Sequence, residues 1–248
     1  MFKHPAKVFI GDTMSKFLAD ASFWELFPQA QLGVVLLKGI DNSGESVRDI
    51  KVLLSRSNAD AEKFLVKNVF SENPVIAIWR DAYRKFKTKK GVRCSIEALL
   101  KRVEKQNPVS YINPLVDIYN AASLQFGLPC GAEDSDAFDG DLVLGITKGG
   151  DDFFALGDEE HSQTLEGELC YRDNKGAVCR CFNWRDGQRT MITENTKNAF
   201  IIMENLDPTR LEDLKAALAL IGEYAQKYLG AAAVTTEILT QANPSIEL

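Results

Sequence analysis

The sequence predicts an α+β fold, with a helical first half packed on a mostly antiparallel sheet in the second half and a C-terminal helix. Three observations carry this expectation. Up to about Gly131 most apolar residues recur with the 3.6-residue period of a helix. After Gly131 the period drops to 2, in short runs punctuated by turn residues. A last long helical stripe begins near Pro208. Segregated elements of this kind define α+β rather than alternating α/β.

Taken in order, "AKVFI" and "QLGVVLLKGI" are short, apolar and β-branched, and read as strands. "GESVRDIKVLLSRSNADAEKFLVKNV" reads as helix, one or two, with Leu53, Leu54, Phe64 and Leu65 inward. Asn73-Pro74 starts a helix through "VIAIWRDAYRKFK", with Ile76, Trp79 and Tyr83 at core spacing. "SIEALLKRVEK" places Ile96, Leu99, Leu100 and Val103 at i, i+3, i+4 and i+7. "NPLVDIYNAASLQF" is the next helix and breaks at "GLPCG". The strands that follow are "DLVLGIT", "DFFAL", "GELCYRD", "AVCRCFNW", "RTMIT" and "AFIIMENL", with a hairpin at "RDNKGA" where Gly176 accepts positive φ. Thr209 with Glu212 fits a capping box for the last helix, whose stripe is Leu211, Leu214, Leu218, Ile221 and Tyr228. No repeat or linker interrupts residues 1–248, so a single domain is expected, with the early strands joining the later sheet.

The 248 residues are 45% hydrophobic, enough for a substantial core, and no apolar run approaches the roughly 20 residues of a membrane span. No signal peptide is read at the start. Five cysteines without a CxxC pair, beside two histidines, argue against a zinc site and a disulfide framework. A reduced, cytoplasmic protein without metal or cofactor is expected, with no membrane partner. The net charge of −6 excludes indiscriminate nucleic-acid binding by the whole surface. Within it, residues 80–105 carry ten bases against Asp81, Glu97 and Glu104, about +7, a footprint for phosphates or a solvated helix face. Residues 131–168 reverse this, with twelve acids and Lys148 as the one lysine or arginine.

Signatures of known enzyme classes are absent: no GxSxG, Walker loop, GxGxxG after a strand, or HExxH. Cys130 sits in a turn, where a packed small residue is favoured over a nucleophile without a partner histidine. Asp117, Asn120 and Ser123 recur every third residue along one side of their helix. They line a pocket, or Asp117 and Asn120 clamp the following turn through backbone hydrogen bonds. Arg180, Trp184, Arg185 and Arg189 either bind a carboxylate, phosphate or base face, or pair with nearby acids. Glu166 and Glu168 either read an amine or hydroxyl or are exposed hairpin acids.

Taken together, "LVDIYNAASLQFGLPCGAEDSD" and the run from "EGELCYRDNKGAVCRCFNW" to "MITENTKNAFIIMENL" resemble the editing module of the phenylalanyl-tRNA synthetase beta subunit, the B-three/B-four tRNA-binding domain. "FPQAQLGVVLLKGIDN", "IWRDAYRKF" and "SIEALLKRV" are similar to the N-terminal half of free-standing versions, so the resemblance covers about residues 20–206. It implies hydrolysis of tyrosine mistakenly attached to the phenylalanine tRNA, in a pocket where helices meet sheet. It also implies a positioned water rather than a metal or a covalent nucleophile. The family's helix and turn fall on Asp117, Asn120, Leu128 and Pro129, and its sheet acid on Glu168. Where editing members commonly carry a histidine, this chain has Gly131.

The expectation is therefore a stand-alone hydrolase that deacylates a mischarged aminoacyl-tRNA. Its partners are the aminoacylated acceptor end of tRNA and an amino-acid ligand. Asn120 and Ser123 are the candidate catalytic residues, orienting water or the amino group. Asn113, Asp117, Pro129, Gly131, Glu168, Arg180, Trp184 and Arg185 are the candidate substrate pocket. Arg84, Lys87, Lys89, Lys90 and Arg93 are the candidate RNA contacts. A non-catalytic amino-acid or tRNA binder, and a hydrolase of a small amino-acid derivative, are the alternatives.

Overall fold

A computed structural model describes residues 15–248. The expected strand "AKVFI" lies outside the described residues. Two sheets carry the molecule. The first has six strands in the order β12-β1-β4-β7-β8-β9: β1 (Lys16–Ala19), β4 (Leu142–Ile146), β7 (Leu169–Asp173), β8 (Gly176–Arg180), β9 (Arg185–Asp186) and β12 (Ser245–Glu247). The second has four, in the order β11-β2-β10-β3: β2 (Gln31–Lys38), β3 (Cys130–Asp134), β10 (Ala199–Asn205) and β11 (Ala233–Leu239). Among the described residues every pairing is antiparallel except β1 with β4. A two-stranded ribbon, β5 (Asp152–Phe153) with β6 (Ser162–Gln163), forms a third sheet and packs against β8.

Side-chain alternation along β10 divides the core in two. Phe200 and Ile202 join Phe17, Leu142, Leu144, Leu169, Tyr171 and Val178 of the six-stranded sheet, with Phe23 and Trp24 of α1 (Ala21–Leu26), Trp79 of α3 (Pro74–Ala82) and Ile96 and Leu100 of α4 (Ser95–Glu104). Ala199, Ile201 and Met203 point the other way. They meet Ile50 of α2 (Arg48–Asp60), Ile118 of α5 (Pro114–Phe126), and Leu214, Leu218 and Ile221 of α6 (Leu211–Tyr228). All seven residues of β10 are buried, as a central strand covered on both faces requires. Contact with α6 is close: a Cβ on Gly33 of β2 would lie 2.7 and 2.8 Å from methyls of Leu218 and Leu214.

The helix expected over residues 44–69 is confined to α2, followed by a 3-10 turn at Ala61–Phe64. The helix after Asn73-Pro74 stops at Ala82, where Tyr83 and Phe86 turn inward. "RTMIT" forms no strand: Met191 makes one isolated bridge to Glu133. The expected capping box is replaced by Asp207, which accepts from the Thr209 N–H at 3.0 Å and its hydroxyl at 2.6 Å, while Glu212 pairs with Lys215. Strands β11 and β12 follow the last helix and complete the edges of both sheets. No helix among the described residues is long and apolar enough to cross a membrane.

Candidate functional site

Helix α5 shows what its polar ladder does. Asn113 caps it, accepting from the Val116 N–H at 3.0 Å, with Pro114 in the first turn. The side-chain oxygen of Asn113 also accepts from the Asn42 amide at 3.1 Å. Asp117 is fully buried and accepts from the Ser46 hydroxyl at 2.5 Å and the Ile112 N–H at 2.8 Å. Burial raises its carboxyl above the ordinary range against these two bonds, which favour the charge. The Ser123 hydroxyl donates to the Leu128 carbonyl at 2.6 Å, so it braces the turn. Gly127 ends the helix in the left-handed region, φ +60°, where a Cβ would press on the Phe64 ring at 2.8 Å. Asn113, Asp117 and Ser123 thus place these polar atoms in bonds inside the fold. Asn120 is half-buried and Pro129 is buried; neither forms part of a cavity wall described below.

That bracing delivers β3 to the junction of the two sheets. A narrow cavity of about 60 Å³ opens there between β3 and β10 on one side and β4, β7, β8 and β9 on the other. It is smaller than the usual small-molecule site and has room for a few water molecules. Gly131 lies opposite Ile202 and leaves its share of the space empty: an added Cβ would meet only the Ile202 methyl, at 3.8 Å. Trp184 lines the half-exposed side. Of the ten residues expected in the catalytic and substrate site, Gly131 and Trp184 are the two this cavity contains.

The walls carry polar groups not anticipated from the sequence: Glu133, Asp186, Glu204, Asn183, Tyr171 and Ser95. Glu204 is fully buried on β10 and accepts from the Tyr171 hydroxyl at 2.7 Å through one oxygen. Its other oxygen faces the Asn183 side-chain amide and Glu133 faces the Thr190 hydroxyl, while Ser95 Oγ is left without a partner. Burial pushes the Glu204 carboxyl up to about 8, against the Tyr171 bond and the nearby Asn183 amide. Glu133 is held well above the carboxylate range, first by burial and then by the charge of Asp186; Asp186 is raised by burial too. Burial also holds the thiols of Cys130 and Cys179 far above their ordinary range, which makes them poor nucleophiles. A lone acid in the apolar run "AFIIMEN" was the sequence signal for Glu204.

Asn183 and Trp184 are presented by a strained turn. Cys181 and Phe182 have φ of +49° and +67°, uncommon for residues with side chains. The strain is held by packing: the Phe182 ring sits 5.2 to 6.4 Å from Trp79, Phe27, Phe23 and Phe86, and its N–H donates to the Leu169 carbonyl at 2.6 Å.

Glu168 and Arg180 lie outside this cavity. They form a two-bonded ion pair, 2.6 and 2.9 Å, exposed by 0 and 1%. The pair is closed on itself, with Ser162 and the Phe153 ring as further partners of the guanidinium. Arg185 pairs with Asp158 at 2.8 Å, and Arg189 with Asp173 at 2.7 Å. Each of these three arginines is therefore paired with an acid. His161 stacks on Phe154, against Asp152.

Behind the cavity wall lies an open cleft, lined by Arg80, Tyr83, Arg84, Arg93, Cys94 and Glu97 among others. Arg80 is paired with Glu97 at 2.6 Å and Arg84 with Asp81 at 2.7 Å. Lys87, Lys89, Lys90 and Arg93 are exposed on the loop between α3 and α4 that rims it. The cleft and the cavity share a wall. Tyr83 and Cys94 face the cleft, Asn183 and Ser95 face the cavity, and the Tyr83 hydroxyl donates to Asn183 Oδ1 at 2.9 Å. Among the described residues, no group of three or more His, Cys, Asp or Glu is arranged to hold a metal ion.

The sequence model of the B3/4 domain matches residues 78–229, more than half of the chain. The chain belongs to the B3/4 domain family. A search of curated proteins returns no match. Among solved structures, this B3/4 protein is similar to an N-terminal fragment of the phenylalanyl-tRNA synthetase beta-subunit from Pyrococcus horikoshii, at 13% identity and a TM-score of 0.47. The match covers 93% of this chain and 53% of that one, so the B3/4 protein spans about half of that fragment. The matched family segment runs from α3 through α6, and so contains both the basic rim and every cavity acid.

Proposed function

We propose that this protein deacylates a mischarged aminoacyl-tRNA in trans. The observation that carries the reading is the shared wall: a cationic cleft on one side, an acid-lined cavity on the other, joined through Tyr83 and Asn183. An aminoacylated acceptor end has the complementary pair of charges, phosphates on the nucleotides and an ammonium on the amino acid. Lys87, Lys89, Lys90, Arg84 and Arg93 would meet the phosphates. The aminoacyl group would enter beside Gly131 and Trp184.

An aminoacyl ester is activated already, so placement of a water molecule supplies most of what hydrolysis needs. The water oxygen bonds to the carbonyl carbon and the bond to the ribose oxygen breaks. One water proton ends on that oxygen and the other passes to a carboxylate or to solvent. The groups at hand are carboxyls and an amide, rather than a thiolate or imidazole. Glu204, able to change protonation near neutral pH, is suited to accept a proton and return it. Discrimination among amino acids would come from polar groups in the cavity, which penalise a side chain that fails to satisfy them.

A second reading, a non-catalytic sensor of aminoacyl groups or tRNA, is favoured by Gly131, since no histidine lines the cavity. A deacylation panel separates the two. The protein is incubated with tRNAs bearing different amino acids, beside Glu204→Gln. Release of one or a few amino acids, slowed at least tenfold in the variant, supports the hydrolase. Binding of tRNA without any release selects the sensor.

A further inference from the structure

We infer that the basic cleft seats a single unpaired nucleotide, its base laid on the Arg80–Glu97 ion pair and its phosphate held at the rim by Arg84 and Arg93. The inference rests on the reading of this cleft as the nucleic-acid side of the site, and specifies what it takes. The cleft measures about 440 Å³, within the usual range for small-molecule sites and far above the 60 Å³ of the cavity behind it. It has room for one base with its sugar and phosphate.

The floor sets the chemistry. Arg80 comes from α3 and Glu97 from the first turn of α4, and two bonds join them, Nη2 to Oε1 at 2.6 Å and Nε to Oε2 at 3.3 Å. A two-bonded pair of this kind lies close to one plane. The Glu97 side chain is 7% exposed and that of Arg80 46%, so the carboxylate is covered and the guanidinium shows to the cleft. Glu97 balances the charge, which leaves a flat, polarisable surface rather than a bare cation. Unstacked bases lie on guanidinium planes, whichever base they are. The N–H groups that Glu97 leaves unused remain to donate to a base edge or a ribose hydroxyl. A simple anion gains little from a floor already neutralised, and an apolar ligand would desolvate it without return.

The rim supplies the phosphate contacts. Arg84 follows about one turn after Arg80, and Arg93 comes from the other wall, just ahead of α4. The Arg84 bond to Asp81 joins two exposed side chains, and pairs so wetted are worth little, so a phosphate displaces Asp81 readily. Gly91 turns the loop at φ +85°, and a Cβ there would meet nothing within 4 Å, so the wall stays open at that point. Tyr83 closes the inner end, its hydroxyl already engaged by Asn183. A duplex keeps its base faces in its own stack and offers none to Arg80, whereas an unpaired nucleotide offers one. The same chemistry, a base carrying a phosphate, comes from a free nucleotide or from the unpaired end of an RNA.

The test uses the intact protein and titration calorimetry with the four nucleoside 5′-monophosphates, beside ribose 5-phosphate. At least one monophosphate is expected to bind about fivefold or more tighter than ribose 5-phosphate, the difference being the stacked base. Arg80→Lys keeps a cation beside Glu97 and loses the plane, so that preference should fall below about twofold while affinity for ribose 5-phosphate holds. Arg93→Gln should weaken monophosphate and ribose 5-phosphate alike, with folding of both variants checked by circular dichroism. Equal affinity for the two kinds of ligand, no binding of any monophosphate at about 10 mM, or a full preference retained by Arg80→Lys overturns the inference. Competition against the monophosphate identifies the source. Displacement by a short RNA with an unpaired 3′ end, and not by the blunt duplex, assigns the cleft to RNA. Displacement by neither assigns it to a free nucleotide, and equal displacement by both overturns the inference. Hydrolysis of an aminoacyl-tRNA by a protein without the base preference sinks the inference and leaves the hydrolase. The base preference without hydrolysis of any aminoacyl-tRNA sinks the hydrolase and leaves the inference.

Discussion

The Tyr83 hydroxyl donates to Asn183 Oδ1 at 2.9 Å, joining residues one hundred positions apart. Tyr83 lies just past the end of α3 at the basic cleft, and Asn183 sits on the strained turn that closes the acidic cavity. One hydrogen bond thus fixes which way the Asn183 amide faces.

Tyr83→Phe removes this donor and leaves a buried carbonyl oxygen unpaired. A decrease of about 1–3 kcal/mol in unfolding free energy is expected from the orphaned acceptor. If the bond also aims the amide, turnover of a susceptible aminoacyl-tRNA falls while tRNA affinity holds. Equal decreases in kcat and in tRNA binding would contradict a role specific to the cavity.

Glu204 sets a pH dependence of stability. Its carboxyl titrates at about 8 when folded and near 4.5 when unfolded. The native state therefore holds a proton that the unfolded chain has released, and stability declines as pH rises from about 4.5 through about 8. Glu204→Gln has no proton to lose. Denaturant titrations at pH 5, 7 and 9 should show the variant gaining on the natural protein by roughly 1 kcal/mol or more over this range. A gap that stays constant with pH would refute the raised carboxyl.

Arg180 and Glu168 are predicted to matter for folding alone. Arg180→Ala strands a buried carboxylate and is expected to cost about 3–5 kcal/mol. The double change Arg180→Met with Glu168→Leu should recover most of that deficit. Ligand binding by the refolded double variant is expected to match the natural protein.

The loop between α3 and α4 is predicted to carry the salt dependence of RNA binding. Reversing Lys87, Lys89 and Lys90 to Glu should weaken tRNA binding and lower the slope of log affinity against log salt by about one for each phosphate no longer neutralised. An unchanged slope would remove this loop from the interface.

Gly131→His should fold, because its first side-chain atom meets nothing nearer than 3.8 Å and its backbone is extended within β3. Destabilisation under about 2 kcal/mol is expected. The imidazole would occupy cavity space, so turnover of a susceptible aminoacyl-tRNA should change while the ion pair of Arg180 and Glu168 stays intact.

The sequence by itself determined the local elements. Asn113, Pro114 and Gly127 fix the limits of α5 because capping and φ preferences act within a few residues. Alternation along "AFIIMEN" gives a strand, and the period in "SIEALLKRV" gives a helix. Lys87, Lys89, Lys90 and Arg93 stay exposed because charges with no buried partner stay in water.

Only the tertiary structure decided where the polar side chains finish. Glu168 and Arg180 are twelve positions apart in a hairpin and close on each other. Glu204 and Tyr171, thirty-three apart, meet because β7 and β10 belong to facing sheets. An acid in a strand reads the same whether it is paired, exposed or enclosed in a cavity. The difference lies in long-range partners and in desolvation, which no local pattern of residues records.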